Sequence, residues 1–433
     1  MEFYGRKVEL EILEKNRAIS EKGGFFTVIV GGRRVGKTSL VLKFLEGRRH
    51  AYLYVTRNTE AVLCEQFAVS AKMGLGISLF GNRFRDLFIQ LMEHGIANPF
   101  TLVIDEFQEF LRVNPAIFGD VQEVWDKYKQ RSKVNLVACG SLYAMMTKLF
   151  EDEREPLFGR SDSKLTLRPF KTSETKSILE SHRPGFSGED LLFLHAVTGG
   201  IPKYVGYLMD RDAFTAERMM DVLTSNGSIF LAEGKDVLVS EFGKEYGTFF
   251  SIMQTIAKGR NTQGEIDDVI GMITGAYLSR LEKDYSLISR SRPLFSESGS
   301  RNVRWQIVDP YMRFYFRFIH PNLQLIEMER FDFLKEVIAE GYPSYRGLVL
   351  EDYFKRKVSE EDGFTSIGGY WDRSGHNEID IIALNDVNRR ALVVEVKADP
   401  KKIDIAGLEK KARAVMGLAG YDTTFKGVSL DDM

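Results

Sequence analysis

The chain has 433 residues, which predicts two to four domains because a domain usually has about 100–200 residues. Hydrophobic residues make up 44% of the chain and charged residues 28%, as in ordinary globular proteins, so a largely disordered, collagen-like or disulfide-scaffold protein is excluded. The net charge is −2, and any nucleic-acid surface must therefore be local.

The sequence lacks the patterns typical of membrane-spanning segments, signal peptides and cysteine-based structural sites. No apolar run approaches the roughly 20 residues that a membrane-spanning helix needs, and the charged, amphipathic start is unlike a signal peptide. With two cysteines, Cys64 and Cys139, neither a disulfide framework nor a four-cysteine zinc site can form. We predict a cytoplasmic protein with no membrane partner.

The first motif in chain order is a phosphate-binding loop. The apolar, β-branched run from Phe25 to Val30 predicts a buried parallel strand. It is followed by Gly31-x-x-x-x-Gly36-Lys37-Thr38 and then by a helix-favouring segment, which is the context that this motif requires. Lys37 should reach the β- and γ-phosphates and Thr38 should ligate Mg²⁺. The predicted nucleotide-binding residues are Gly31, Gly32, Arg33, Arg34, Val35, Gly36, Lys37, Thr38 and Ser39.

Polar residues end the next two predicted strands. FTLVID ends at Asp105 and is followed by Glu106, at the carboxyl edge of the sheet beside the phosphate loop. We predict that Asp105 holds Mg²⁺ and that Glu106 activates the attacking water. VNLVACGS ends at Ser141, which either contacts the γ-phosphate or the water, or lies in a plain turn. Arg160, before the strand predicted over 163–170, is either a charge-neutralising finger, in cis or from a neighbouring subunit, or a surface arginine.

Together these segments predict a parallel, doubly wound α/β sheet. The chain resembles the archaeal-type P-loop ATPases of the AAA+/STAND group in the motifs FYGR with EL, GGRRVGKTSL, LVIDEFQEF, ACGS, PLFGR and TGGIPKYV, which occur in that order. The resemblance implies ATP as the nucleotide and Arg6 near the adenine. It also implies Asp105 as the metal residue, Glu106 as the water-activating residue and Ser141 as the polar sensor.

The middle of the chain is predicted to be helical and then to change pattern. Residues 171–238 are predicted to form a helical lid, with an all-helical spacer as the alternative. Residues 239–322 predict three helices and a hairpin, hence a winged helix. Eight basic and four acidic residues over 280–317 give a net charge of +4, which suits DNA phosphates. The acidic helix GEIDDVIG leaves a protein-docking role open.

The C-terminal region carries a nuclease-like pattern. We predict a linker near His320-Pro321, a helix from about Tyr345, and a hairpin formed by IDIIAL and ALVVEVK. In that hairpin Asp380 and Glu395 would bind Mg²⁺ or Mn²⁺ and Lys397 would polarise the attacking water, with Glu351 as a further carboxylate. This pattern resembles the restriction-endonuclease-like PD-(D/E)xK fold, which the ATPase family often carries at its C-terminus.

The predicted architecture is a P-loop ATPase core (1–170), a helical lid (171–238), a winged helix (239–322) and a restriction-endonuclease-like domain (323–433). The predicted function is Mg²⁺-dependent ATP hydrolysis coupled to DNA binding and metal-dependent DNA cleavage. Two alternatives stay open: a nucleotide-driven regulatory switch whose C-terminal domain only binds, and a protein-facing ATPase. Under both alternatives the protein could bind a protein partner or form a homo-oligomer.

Overall fold

The computed structural model describes residues 3–141, 143–242, 246–297, 299–300, 302–372 and 376–433. The chain divides into two compact units, which span residues 2–169 and 170–433. Among the described residues, no helix combines the length and the apolar composition that crossing a bilayer requires.

The first unit is built on a five-stranded sheet in the order β2-β3-β4-β1-β5, in which every pairing is parallel. Its strands are β1 (Phe25–Gly31), β2 (His50–Tyr54), β3 (Phe100–Asp105), β4 (Val134–Gly140) and β5 (Ser163–Leu167). Its helices are α1 (Lys7–Ser20), α2 (Lys37–Leu45), α3 (Glu60–Leu75), α4 (Phe84–Ala97), α5 (Phe110–Val113), α6 (Ile117–Tyr128) and α7 (Tyr143–Glu151).

Helices cover both faces of this sheet, as the apolar strands require. In β1, Val28 packs into a core with α3, α4 and α6, whereas Ile29 packs into a second core with α1 and α2. The predicted parallel α/β sheet is confirmed, and its carboxyl edge carries the phosphate loop.

The second unit begins with helices and ends with a mixed sheet. Its helices are α8 (Thr172–His182), α9 (Gly188–Thr198), α10 (Pro202–Met209), α11 (Ala216–Leu223), α12 (Ile229–Phe242), α13 (Tyr246–Ala257), α14 (Gln263–Ile270), α15 (Gly275–Lys283), α16 (Pro310–Phe314), α17 (Leu323–Glu327), α18 (Phe331–Glu360) and α19 (Ile405–Arg413). Its strands are β6 (Ile288–Ser291), β7 (Arg304–Ile307), β8 (Ser366–Trp371), β9 (Glu378–Asn385), β10 (Arg390–Val396) and β11 (Asp422–Val428).

Two sheets form in this unit. β6 and β7 make an antiparallel hairpin after α13–α15, which is the predicted three-helix-and-hairpin pattern. The C-terminal sheet has the order β11-β10-β9-β8, with β8–β9 and β9–β10 antiparallel and β10–β11 parallel. The chain therefore runs helix, three strands, helix, strand from α18 to β11.

The predicted boundaries around α18 were wrong. The helix starts at Phe331 instead of Tyr345 and contains Pro343, and the predicted linker at His320-Pro321 lies in a short helical turn. Proline costs about 3 kcal/mol inside a helix, so local propensity alone does not favour a helix that runs through Pro343. Buried side chains on both sides of it, Ile338 and Tyr345, show that tertiary packing extends through the proline.

Candidate nucleotide and carboxylate sites

The phosphate loop joins the end of β1 to the start of α2. Gly36 has a φ of 86° and Arg34 a φ of 68°, and only glycine takes such angles without a side-chain penalty. The Lys37 ammonium donates to the carbonyl oxygens of Gly31 and Gly32, each at 2.8 Å. Thr38 and Ser39 are exposed in the first turn of α2. The free N–H groups of such a turn attract phosphate.

Asp105 lies at the end of β3 and meets the helix that follows the loop. The Thr38 hydroxyl donates to Asp105 Oδ2 over 2.9 Å, and the Tyr52 hydroxyl donates to the same oxygen over 2.5 Å. A hydroxyl and a carboxylate side by side are the oxygen donors that Mg²⁺ prefers, so these residues fit a magnesium ion. Tyr52, on the edge strand β2, was not predicted, because its partner lies 53 residues away in the sequence.

Glu106 and Ser141 are brought together across neighbouring strands. The Ser141 hydroxyl donates to Glu106 Oε2 over 2.8 Å, and Glu106 adopts a left-handed backbone with a φ of 54°. Gln108, which is buried, donates to the same carboxylate oxygen over 2.5 Å. The sequence analysis did not single out Gln108. Its place two residues after Glu106 in the run DEFQ could have indicated it. It orients the Glu106 carboxylate.

The buried Lys37 has an altered acidity. Burial lowers the pKa of Lys37, and the negative charges of Glu106 and Asp105 offset part of that effect. The ammonium therefore lies within the field of the predicted metal ligand Asp105 and the predicted catalytic Glu106, where a bound phosphate would be its natural counter-charge.

Arg6 supports the phosphate loop from behind. Its guanidinium donates to the carbonyl oxygens of Val35 at 3.0 Å and Arg168 at 2.7 Å, and it pairs with Glu9 at 2.8 Å. The side chain is only 6% exposed. These contacts hold the phosphate loop and the end of β5 together. The sequence analysis placed Arg6 near the adenine and did not predict this structural role.

Arg160 lies at the other edge of the sheet. It is three residues before β5, which starts beside Thr27, whereas the phosphate loop follows the end of β1 at Gly31, about 13 Å further along the strand. Arg160 pairs with Asp126 at 3.2 Å. The structure therefore gives no support to the prediction that Arg160 reaches the nucleotide in cis.

A second cluster lies in the C-terminal sheet. Val394 pairs with Ile381 in the β9–β10 register, so the next residues, Glu395 and Asp380, face each other across the hairpin. Lys397 Nζ lies 3.5 Å from Asp380 Oδ2 and 3.8 Å from Glu395 Oε1. The structure thus brings together the three charged side chains that the sequence pattern singled out.

Glu351 approaches this cluster from α18. Burial and the charges of Asp380 and Glu378 raise the pKa of Glu351 to about 7. Within the described part of the chain, however, no group of three or more His, Cys, Asp or Glu side chains is placed to hold a metal ion. The predicted three-carboxylate metal site is therefore not assembled here, and Asp380 and Glu395 remain as a facing pair of oxygen donors.

The comparisons with known proteins agree with the first of these sites. Residues 3–208 match a family described as an ATPase domain predominantly from Archaea, and residues 315–415 match a family described as "Archaea bacterial proteins of unknown function". An uncharacterized protein of Methanocaldococcus jannaschii is 29% identical over 432 residues, which cover 97% of this chain and 93% of that protein.

Two solved structures share the fold. A Walker-type ATPase of Pyrococcus abyssi has a TM-score of 0.52 at 19% identity, over 72% of this chain and 96% of its own. The ORC2 protein of Aeropyrum pernix, solved in complexes with ADPNP and ADP, has a TM-score of 0.52 at 16% identity, over 76% of this chain and 96% of its own. The family match and the shared fold together support a P-loop ATPase.

Proposed function

We propose that the protein is a Mg²⁺-dependent ATPase whose C-terminal domain acts on DNA. The observation that carries the first part is the convergence of Lys37, the Thr38–Asp105 hydrogen bond and the Glu106–Ser141 hydrogen bond at one edge of the sheet. The nucleotide complexes of the Aeropyrum pernix neighbour support an adenine nucleotide as the ligand.

Each residue of this edge has a separate task in the proposed reaction. Lys37 would exchange its two carbonyl partners for the β- and γ-phosphates, where it offsets charge that develops during transfer. Thr38 and Asp105 would hold Mg²⁺, which supplies charge neutralisation on the phosphates. Glu106 would take a proton from the attacking water, with Ser141 and Gln108 fixing the orientation of its carboxylate. Arg160 would act on the nucleotide of a neighbouring subunit.

The second part of the proposal concerns the C-terminal sheet. Its order of helix, three strands, helix and strand resembles that of the restriction-endonuclease-like fold and supports the proposal, and the facing Asp380 and Glu395 are suitable donors for Mg²⁺ or Mn²⁺. Lys397 would then stabilise the charged transition state of phosphodiester cleavage. ATP would control this site only if the nucleotide binds two conformations of the protein unequally.

A second candidate function is a nucleotide-driven switch whose C-terminal domain binds without cutting. It is favoured by one observation: among the described residues no third carboxylate completes a metal-binding group around Asp380 and Glu395. A homo-oligomer or a protein partner fits this candidate equally well.

The ATPase proposal is tested by matched substitutions on the purified full chain. Lys37→Ala should abolish ATP binding, whereas Lys43→Ala, on the exposed side of the same helix, should not. Glu106→Gln should keep ATP binding and lower kcat by about 10²–10⁴, and Glu153→Gln, an exposed glutamate, serves as its control. An unchanged kcat in Glu106→Gln would remove Glu106 from the reaction.

The cleavage proposal is tested with supercoiled plasmid and Mg²⁺ or Mn²⁺, with and without ATP. Nicking by the unaltered protein and by Lys426→Ala, an exposed lysine on β11, but not by Lys397→Ala, would establish cutting at this site. Plasmid that stays intact in every lane would favour the non-cutting switch.

A further inference from the structure

Two arginines of the wing predicted to contact DNA pair with acidic side chains. Arg290 pairs with Glu282 at 2.7 Å. Arg304 pairs with Glu378 at 2.6 Å and lies over the Trp371 ring at 4.5 Å. These two positive charges are neutralised within the molecule. They are therefore poorly available to pair with DNA phosphates.

The loop at the tip of the wing is also engaged. The Leu294 amide donates to the Gly369 carbonyl over 2.9 Å, and Asn302 exchanges hydrogen bonds with Trp371, donating to its carbonyl and accepting from its indole N–H. A β-bulge interrupts the β8–β9 register next to Gly369. The wing is therefore packed on the C-terminal sheet, and a DNA duplex would have to displace it to use its tip.

A different surface beside the carboxylate pair carries unneutralised positive charge. Residues 397–413 contain six basic and three acidic side chains, a net charge of +3. Four lysines have no carboxylate partner among the residues that the structure describes, and three of them are exposed. They are Lys401, Lys402, Lys410 and Lys411.

The acidic residues of the same segment bind partners other than the ammonium groups of these four lysines. Asp399 accepts the Lys401 backbone N–H over 3.0 Å, and Asp404 accepts the Gly407 N–H over 2.9 Å. Glu409 pairs with Arg413 at 3.4 Å. The carboxylates of Asp399 and Asp404 offset only part of the positive charge of the four lysines, and the segment keeps its net charge of +3.

Helix α19 is fixed beside the carboxylate site at its start and near its end. The Asp404 backbone N–H, at the start of α19, donates to Glu395 Oε2 over 2.7 Å. Near the other end, the Lys411 carbonyl accepts from the Asn377 side chain over 3.1 Å, three residues before Asp380. The lysines are therefore carried by a segment tied to both strands of the facing carboxylate pair.

We propose that Lys401, Lys402, Lys410 and Lys411 form the surface that binds the DNA phosphate backbone and leads it to Asp380, Glu395 and Lys397. The inference rests on the proposed action on DNA and names the surface that performs it. Lysines that replace condensed counterions make affinity steeply salt-dependent without reading sequence. This surface therefore fits a nucleic-acid backbone of any sequence, with the wing acting as a structural support.

The test measures binding of the full chain to a fluorescently labelled 20-base-pair duplex in EDTA, so that no cleavage is needed, over a series of salt concentrations. Lys401→Ala/Lys402→Ala should lose at least about tenfold in affinity, and the slope of log affinity against log salt should flatten by about 2. The competing variant Arg290→Ala/Arg292→Ala should stay within about twofold of the unaltered protein. Basal ATP hydrolysis should be equal in all three.

Three outcomes would overturn the inference. The wing variant could lose affinity while the lysine variant does not, or the lysine variant could keep its salt slope. Equal losses of the lysine variant on phosphatidylserine vesicles and on DNA would mean general attraction to anionic surfaces. If the unaltered protein binds neither duplex nor single-stranded DNA at low salt, the proposed action on DNA fails as well, so the two failures are distinguishable.

Discussion

The ion pair between Asp352 on α18 and the buried Arg313 gives the sharpest stability prediction. Asp352 lies 3.4 Å from the Arg313 guanidinium and 3.3 Å from His195 Nε2. Burial would raise the pKa of Asp352, but Arg313 and His195 outweigh it and hold that pKa below its ordinary value. Asp352→Asn keeps the size of the side chain and leaves Arg313, only 8% exposed, without its counter-charge.

An unpaired buried charge usually costs about 3–5 kcal/mol. For a unit of this size each kcal/mol lowers the melting temperature by about 2–4 °C, so Asp352→Asn should lower the Tm of the second unit by about 6–20 °C in calorimetry. Glu336→Gln, an exposed change on the same helix, is the control and should shift it by about 1 °C or less.

A double variant separates charge from shape. Replacing both partners by apolar residues, Arg313→Met with Asp352→Leu, removes the unpaired charge, so it should recover most of the Tm lost in Asp352→Asn. A double variant no more stable than Asp352→Asn would refute the reasoning that the uncompensated guanidinium is what destabilises the protein.

Three further predictions follow from the two sites. Because the folded protein holds the Glu351 proton up to about pH 7 and the unfolded chain only to about pH 4.5, stability should fall as pH rises between these values. In EDTA, Glu351→Gln should abolish that fall, raising the free energy of unfolding by up to about 3 kcal/mol at pH 8 and leaving it unchanged at pH 4. Urea unfolding at the two pH values measures this difference. A difference between the two proteins that is the same at both pH values would contradict the prediction. Arg6→Lys should raise the KM for ATP several-fold, because an ammonium cannot replace the fork that binds the Val35 and Arg168 carbonyls, and an unchanged KM would assign Arg6 no role in the loop. Gln108→Leu should lower kcat about tenfold with the KM within twofold, and equal changes in both would contradict a positioning role.

The features that the sequence predicted correctly are those encoded in short segments. Strand β1, the phosphate loop and the start of α2 are contiguous, so the apolar run before Gly31 and the Gly36-Lys37 pair were sufficient. The same holds for the β9–β10 hairpin, where two apolar runs flank a polar turn and period-two alternation put Glu395 and Lys397 on one face. In each case the pattern and the contact lie within about twenty residues.

The features that it missed depend on distant partners. The bond from Tyr52 to Asp105 and the bonds of Arg6 to two backbone carbonyls join segments that only the sheet brings together. The edge of the sheet on which Arg160 lies follows from the β1–β5 register, which no local pattern specifies. The course of α18 through Pro343 depends on side chains packed around it, and local propensity favours a break there.

Helix α18 has a consequence for how this protein can change in evolution. By sequence it belongs to the C-terminal domain, yet Arg356 donates to the carbonyls of Phe170 and Gly199, and Glu360 accepts from Thr172, all at the start of the second unit. A gene fusion that exchanged only residues after 322 would strip these partners from the helix. Viable recombination should therefore favour the junction near residue 170, so that the helices from α8 onward and the C-terminal sheet are inherited as one piece.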